Sequence, residues 1–225
     1  MSGEKPRISR VTRSRADAKS AYDGLSRHYD LLVGRSEKKP KDVGLQMLDA
    51  KEGESVLEIG FGTGQCLLAL ARTVGSTGRI YGVDLSEGML KVAQARIEDA
   101  GLSRRVDLRL GDATRLPFER ASVDAVFISF ALELFDTPEI PLVLEECRRV
   151  LRNDGRICIV AMSKDQSGGI ALRLYEWAHE AFPSHVDCRP IFVRESLEDA
   201  GLIVADSSTV SIWGLSAEIV LARQR

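Results

Sequence analysis

Apolar positions along the 225-residue chain fall into two alternating rhythms from about residue 41 onward. Short runs of apolar residues predict buried strands at Ser55–Gly60, Arg79–Asp84, Val106–Leu110, Val123–Phe130 and Gly155–Ala161. Between them, apolar residues recur every three or four positions, the spacing of one helical face. These stretches predict helices over Lys41–Ala50, Gln65–Val74, Ser86–Ala100 and Glu139–Leu151. Ser86 gives the third of them a start signal and Gly101 a stop. Strands alternating with helices imply an open, mainly parallel sheet covered on both faces. The C-terminal pattern differs: Leu202–Ile212 and Glu218–Ala222 are strand candidates joined through Trp213-Gly214. A connection that short makes an antiparallel pair.

The ends and one insertion lie outside this rhythm. Residues 1–19 form a basic leader (Lys5, Arg7, Arg10, Arg13, Arg15, Lys19), expected to be solvated and flexible. Residues 20–225 then read as one domain. Within it, residues 20–50 predict an N-terminal helical lid, whose Tyr22-Asp23 and Tyr29-Asp30 pairs fall two helical turns apart. Residues 164–200 predict a helical insertion, with Ile170, Leu174, Trp177 and Ala181 on one stripe.

Composition narrows the classes. With 44% hydrophobic residues the chain can bury a substantial core. Thirty-one Lys and Arg against 33 Asp and Glu leave a net charge of −2, which gives no global pull toward nucleic acid. No apolar run approaches the roughly 18–20 residues of a membrane span, and the polar start lacks the core of a secretory signal. Cys66, Cys147, Cys158 and Cys188 stand singly, without the spacing of a zinc or redox motif. Buried structural thiols are expected for Cys66 and Cys158, no metal is expected, and the chain reads as cytoplasmic.

The chemistry begins at VLEIGFGTG, residues 56–64. A strand entering a glycine turn and then a helix places backbone N–H groups at the strand's carboxyl end, where doubly wound folds bind ligands. Gly60, Gly62 and Gly64 fall as G-x-G-x-G, whereas the nicotinamide fingerprint needs a small residue where Gln65 stands. Asp84, ending the second strand, is placed to accept from ribose hydroxyls in either class of adenosine binder. Asp112, beside small Ala113 after the third strand, suits an adenine amino group. The Tyr-x-x-x-Lys pair of short-chain dehydrogenases is absent, because the four tyrosines are followed at +4 by Ser26, Val33, Leu85 and His179.

The segments ExGxGxG (58–64), GVDLS (82–86), GDA (111–113), VDAVFISFAL (123–132) and EECRRVLRNDGRICIV (145–160) together resemble the class I S-adenosylmethionine-dependent methyltransferases. The resemblance implies a Rossmann-like α/β fold: a seven-stranded, mostly parallel sheet ending in a C-terminal antiparallel hairpin, with helices on both faces. It implies S-adenosyl-L-methionine as cofactor. Glu58 and the Gly60, Gly62 and Gly64 backbone would hold its methionine portion, and Asp84 its ribose. Leu85, Met89, Asp112 and Ala113 would line the adenine pocket, with Ser129, Tyr22 and Tyr29 completing the cofactor set.

The acceptor is less legible. SFALELF, residues 129–135, follows the fourth strand without the Asn/Asp-Pro-Pro-aromatic motif of amide and nucleobase amino methylation. A small-molecule or lipid-like acceptor is expected and nucleic acid is not; peripheral membrane contact stays open. The Tyr-Asp element near Tyr29, ISF at 128–130 and RVLRNDGRICIVAMSK at 149–164 resemble the ubiquinone/menaquinone ring C-methyltransferases, which makes a quinone-type ring the leading acceptor. That group carries an arginine soon after the Phe, where this chain has Leu132-Glu133. Candidates for a base are His28, Glu133 and His185, each with a structural role as the alternative. Two other functions stay open: a nicotinamide-dependent oxidoreductase, and a non-catalytic S-adenosylmethionine-binding protein.

Overall fold

The computed structural model describes Asp23 and residues 34–164, 189–212 and 214–224. Its centre is a seven-stranded sheet, in which β1 (Ser55–Ile59), β2 (Arg79–Asp84), β3 (Val106–Leu110), β4 (Val123–Ser129) and β5 (Leu151–Met162) run parallel. β6 (Ile203–Ile212) and β7 (Leu215–Arg223) close it as an antiparallel hairpin, with Ile212 opposite Leu215. The spatial order is β3-β2-β1-β4-β5-β7-β6, so the strand order reverses between β1 and β4. Ligands of open α/β sheets bind at that switch point, outside the carboxyl ends of the strands.

The central strands read as continuous apolar runs because both sides are buried. Along β4, Ala125 and Phe127 face one core, and Val126 and Ile128 the other. β5 repeats this, with Cys158 and Val160 on the first side and Ile157 and Ile159 on the second. The first side is covered by α1 (Gly34–Leu48), α2 (Gln65–Thr73) and α3 (Glu87–Asp99). The second is covered by α4 (Ile140–Val150) and α5 (Val193–Asp199).

Two elements depart from the sequence pattern. α1 begins at Gly34 rather than near Lys41, and it contains Pro40. A proline inside a helix costs about 3 kcal/mol through a lost hydrogen bond and a ring clash. Here that cost is offset by burial of Leu48 at 0% exposure and by partial burial of Val43, Leu45 and Met47, since one buried leucine contributes roughly 1.5–3 kcal/mol. The pairs Glu37–Lys41 and Lys38–Asp42 also span the proline at i,i+4 spacing. β5 begins at Leu151 rather than Gly155. Its register with β4 shifts between Val123/Leu151 and Ala125/Arg156, so the exposed Arg152–Asp154 bulges out of the ladder.

Cys66 and Cys158 are free and buried, as expected for structural thiols, and Cys147 is a third. Burial pushes the Cys158 thiol up to about 12, so it stays protonated and inert. No helix among the described residues is long and apolar enough to cross a membrane.

Candidate functional site at the carboxyl ends of the strands

The glycine loop leaves β1 at the switch point. Gly60, with φ +68°, donates its N–H to the Val83 carbonyl at 2.8 Å. A Cβ at Gly60 would lie 2.4 Å from that of Ala131, so this glycine lets the loop meet the segment after β4. Gly62 is different. Its φ is +51°, a Cβ there would meet nothing within 4 Å, and its N–H donates to Asp84 Oδ2 at 2.9 Å. The loop is thus anchored through its backbone and presents open space at Gly62. Arg96 on α3 fixes the next residue by donating to the Thr63 carbonyl at 2.7 Å.

Behind the loop lies a buried charged cluster. Glu58 follows Val56 on the first face of β1 and is 1% exposed. Its Oε2 has no hydrogen-bond partner among the described residues. Burial pushes its carboxyl well above the ordinary range, with Lys41 opposing and Asp84 adding to the shift. Lys41 reaches this cluster from α1, bonded to Glu37 Oε2 at 2.7 Å, with its ammonium 5.9 Å from the centre of the Phe130 ring. Burial works to lower the Lys41 pKa, and the charge of Glu37 chiefly overcomes it, leaving the ammonium raised above its ordinary value. Burial pushes the Cys66 thiol up, and the neighbouring Ser129 hydroxyl works against that.

At the ends of β2 and β3, Asp84 accepts from Gly62 N–H and, through Oδ1, from Ser86 N–H at 2.9 Å. Burial raises its pKa, while the N–H groups of Ser86, Gly62 and Leu85 work against that. A carboxylate offers about four acceptor positions, so the backbone donors leave capacity for a ligand hydroxyl. Leu85 is 38% exposed at the rim and Met89 is buried. Asp112 Oδ1 accepts from Thr114 N–H at 2.9 Å, which shapes the turn after β3. Ala113 is buried in the second core beside Val83 and Leu116.

After β4, Phe130 takes a left-handed φ of +51°, rare for a bulky residue and typical of positions held by function. A one-turn 3-10 helix follows at Leu132–Leu134. Within it Glu133 is fully buried, its Oε1 accepting from Met162 N–H at 3.2 Å. Arg189 is also 0% exposed. It donates to the Glu133 carbonyl at 3.2 Å, to Thr137 Oγ1 at 3.1 Å and to the Phe135 carbonyl. Lys164 N–H bonds the Ile191 carbonyl at 3.0 Å, and Ile191 N–H the Met162 carbonyl at 2.9 Å.

The structure therefore brings together Glu58, Gly60, Gly62, Gly64, Asp84, Leu85, Met89, Asp112, Ala113, Ser129 and Glu133 at one end of the sheet. Tyr22, Tyr29, His28 and His185 lie outside the described residues, as does the predicted helix over 169–182. Lys41, Glu37, Arg189 and Asp23 are additions to the predicted set. Among the described residues, no group of three or more His, Cys, Asp or Glu side chains could hold a metal ion.

A reversed strand order, a glycine loop and an acid ending β2 define a nucleoside-binding α/β domain. A family model described as "Methyltransferase domain" matches residues 56–155. The demethylmenaquinone methyltransferase of Lactobacillus johnsonii is 31% identical over 172 residues, which cover 75% of this chain and 69% of that one. That of Bacillus subtilis is 32% identical over 152 residues, 66% of this chain. The match spans 64% of the Bacillus protein's length. The crystal structure of a SAM dependent methyltransferase from Aquifex aeolicus superposes with a TM-score of 0.66 at 24% identity, covering 89% of this chain and 98% of that one. The chain belongs to the class I S-adenosylmethionine-dependent methyltransferases, and S-adenosylmethionine is the cofactor of that family.

Proposed function

We propose that the chain transfers a methyl group from S-adenosylmethionine to a carbon of a quinone-type aromatic ring. The observation that carries the donor half is Glu58, a fully buried carboxylate with one oxygen unpartnered behind an open glycine loop. A buried, unsatisfied carboxylate costs several kcal/mol, so it calls for a cation or donor in the site. The α-ammonium of the cofactor's methionine portion meets that need. Lys41, held by Glu37 in the same cluster, provides the opposite charge for the α-carboxylate. Asp84 takes the ribose hydroxyls, while Leu85, Met89, Asp112 and Ala113 border the adenine. Ser129 and the Gly60–Gly64 backbone complete the methionine side.

The cofactor supplies an electrophilic methyl on a sulfonium. The chain's residues align the acceptor with it and exclude water. Phe130, Ala131 and the segment held by Arg189 form the acceptor side. The similarity to demethylmenaquinone methyltransferases supports a reduced quinone as acceptor, since a hydroquinone ring is nucleophilic at carbon.

The purified chain incubated with methyl-labelled S-adenosylmethionine and demethylmenaquinol is expected to give methylated quinone, read by mass spectrometry. Cofactor binding without label transfer would overturn the acceptor. Failure to bind S-adenosylhomocysteine in calorimetry would overturn the donor.

A further inference from the structure

Asp23 precedes α1 in the chain, yet its carboxylate sits at the beginning of α3. Its Oδ1 accepts from Ser86 Oγ at 2.6 Å and from Gly88 N–H at 2.7 Å. These contacts bridge 63 and 65 positions of sequence, so they are tertiary contacts and not a local turn. The chain of bonds continues beyond Ser86, whose N–H donates to Asp84 Oδ1 at 2.9 Å. Asp84 Oδ2 in turn accepts from Gly62 N–H at 2.9 Å. Asp23, Ser86, Asp84 and Gly62 thus form one continuous series, running from the N-terminal part of the chain to the open face of the glycine loop.

A plain helix cap accounts for only part of this. Ser86 already caps α3, its Oγ accepting from Met89 N–H at 3.1 Å. A second carboxylate close to Asp84 brings like charges together, and Asp23 indeed works to raise the proton affinity of Asp84. Placing it there is unfavourable for Asp84 alone. What Asp23 contributes is geometry. Its acceptor orients the Ser86 hydroxyl, which as a single O–H donor points at Asp23 while a lone pair faces Met89 N–H. That holds Ser86 N–H, and with it one oxygen of Asp84, in a fixed place.

We propose that Asp23 is a positioning residue for the cofactor site, setting the Asp84 carboxylate in the orientation that receives the ribose. This role rests on the reading of Asp84 as the ribose acceptor. Asp23 touches no cofactor atom itself; it acts through Ser86 and Asp84. Asn at this position keeps the Oδ1 acceptor for both donors, whereas Ala removes it.

The test is calorimetric titration of S-adenosylhomocysteine into wild type, Asp23→Ala, Asp23→Asn, Asp84→Asn and the Asp23→Ala/Asp84→Asn double variant, with each melting temperature recorded without ligand. Asp23→Ala is expected to raise Kd about tenfold and Asp23→Asn only about two- to threefold, since the oriented acceptor survives. Because the two acids act as one unit, the double variant is expected to bind no worse than Asp84→Asn. An Asp23→Ala protein that binds like wild type overturns the role, and so do penalties that multiply in the double variant. If Asp23→Ala does not fold, Asp23→Asn with Ser86→Ala provides the same comparison. A wild type that fails to bind overturns the assignment of the cofactor site itself, a result separate from an indifferent Asp23.

Discussion

The Arg189 guanidinium donates to the backbone carbonyl of Glu133 at 3.2 Å, and both residues are fully buried. Arg189 also holds the Phe135 carbonyl and the Thr137 hydroxyl, so a single side chain ties down the segment that follows β4. Three acceptors depend on it: the Glu133 carbonyl is buried, and Phe135 and Thr137 are partly buried. Arg189→Ala is expected to lower unfolding free energy by about 3 kcal/mol, because hydrogen bonds to charged groups are worth roughly 1.5–3 kcal/mol and the stranded carbonyls add to the loss. Lysine keeps the charge but lacks the planar fork, so Arg189→Lys is expected to recover less than half. In a urea series, an Arg189→Ala midpoint equal to wild type would contradict this.

Two of the loop's three glycines, Gly60 and Gly62, are expected to separate fold from ligand binding. A methyl at Gly60 would collide with Ala131 at 2.4 Å, and the positive φ adds strain. Gly60→Ala is therefore expected to cost about 2–3 kcal/mol of stability, as overpacking does. At Gly62 a methyl meets no protein atom within 4 Å, so Gly62→Ala costs only the φ penalty of about 1 kcal/mol. A larger side chain there enters the space in front of the loop. Gly62→Arg is expected to melt close to Gly62→Ala, which carries the same φ penalty, and to lose S-adenosylhomocysteine binding. Thermal melts with and without ligand check both, and a Gly62→Arg that binds normally would move the cofactor elsewhere.

The central strands were legible because burial on both sides leaves no polar position to blur the pattern, as Val126 and Phe127 show on opposite faces of β4. The glycine loop and Asp84 were legible because close backbone approach and a strand-end acid are local features. α5 was read only as part of a helical insertion over 164–200, without bounds of its own, because only Val193 and Leu197 of its seven residues are buried, too few to establish a period. The start of α1 was hidden by Lys38, Lys39 and Pro40, which read as a polar break. Arg189, Lys41 and Asp23 were missed for a different reason. Arg189 and Asp23 are bonded to groups remote in the chain, and the Lys41–Glu37 pair has the spacing of an ordinary helical surface pair, so none of the three showed its place in the site.

Glu58 makes a pH prediction with a definite sign. Its folded pKa is raised well above the ordinary glutamate value, so the native state holds a proton that the unfolded chain has released. Between the unfolded glutamate pKa, about 4.3, and the raised folded value, stability from this residue falls as pH rises, then levels off. Gln cannot ionise. Glu58→Gln is therefore expected to match wild type at acid pH and to gain stability relative to it across that window. Binding of an α-ammonium would reverse the preference by favouring the ionised carboxylate, so ligand affinity in the wild type should rise with pH over the same window. Urea unfolding at several pH values reads the first effect, and parallel curves for the two proteins would exclude it.

Arg156 ties the opposite end of the sheet together, and its removal should show the fold's dependence on one buried cation. It is 8% exposed on β5, with Nε on the Leu48 carbonyl at 2.6 Å and Nη2 on the Asp49 carbonyl at 2.9 Å. It also forms a two-pronged pair with Glu54 at 2.9 and 2.7 Å. Arg156 thus caps the carboxyl end of α1, where carbonyls lack helical partners and the helix dipole favours a cation. Removing one member of a buried pair costs about 3–5 kcal/mol, and this pair, with Glu54 partly exposed, belongs at the lower end of that range. Arg156→Met keeps most of the apolar stem and isolates that electrostatic loss. It is expected to lower stability by at least about 3 kcal/mol, little relieved by salt, since screening acts weakly on buried charges. Pairing it with Glu54→Gln should recover part of the loss, and a double variant no more stable than Arg156→Met would place the cost in the α1 carbonyls alone.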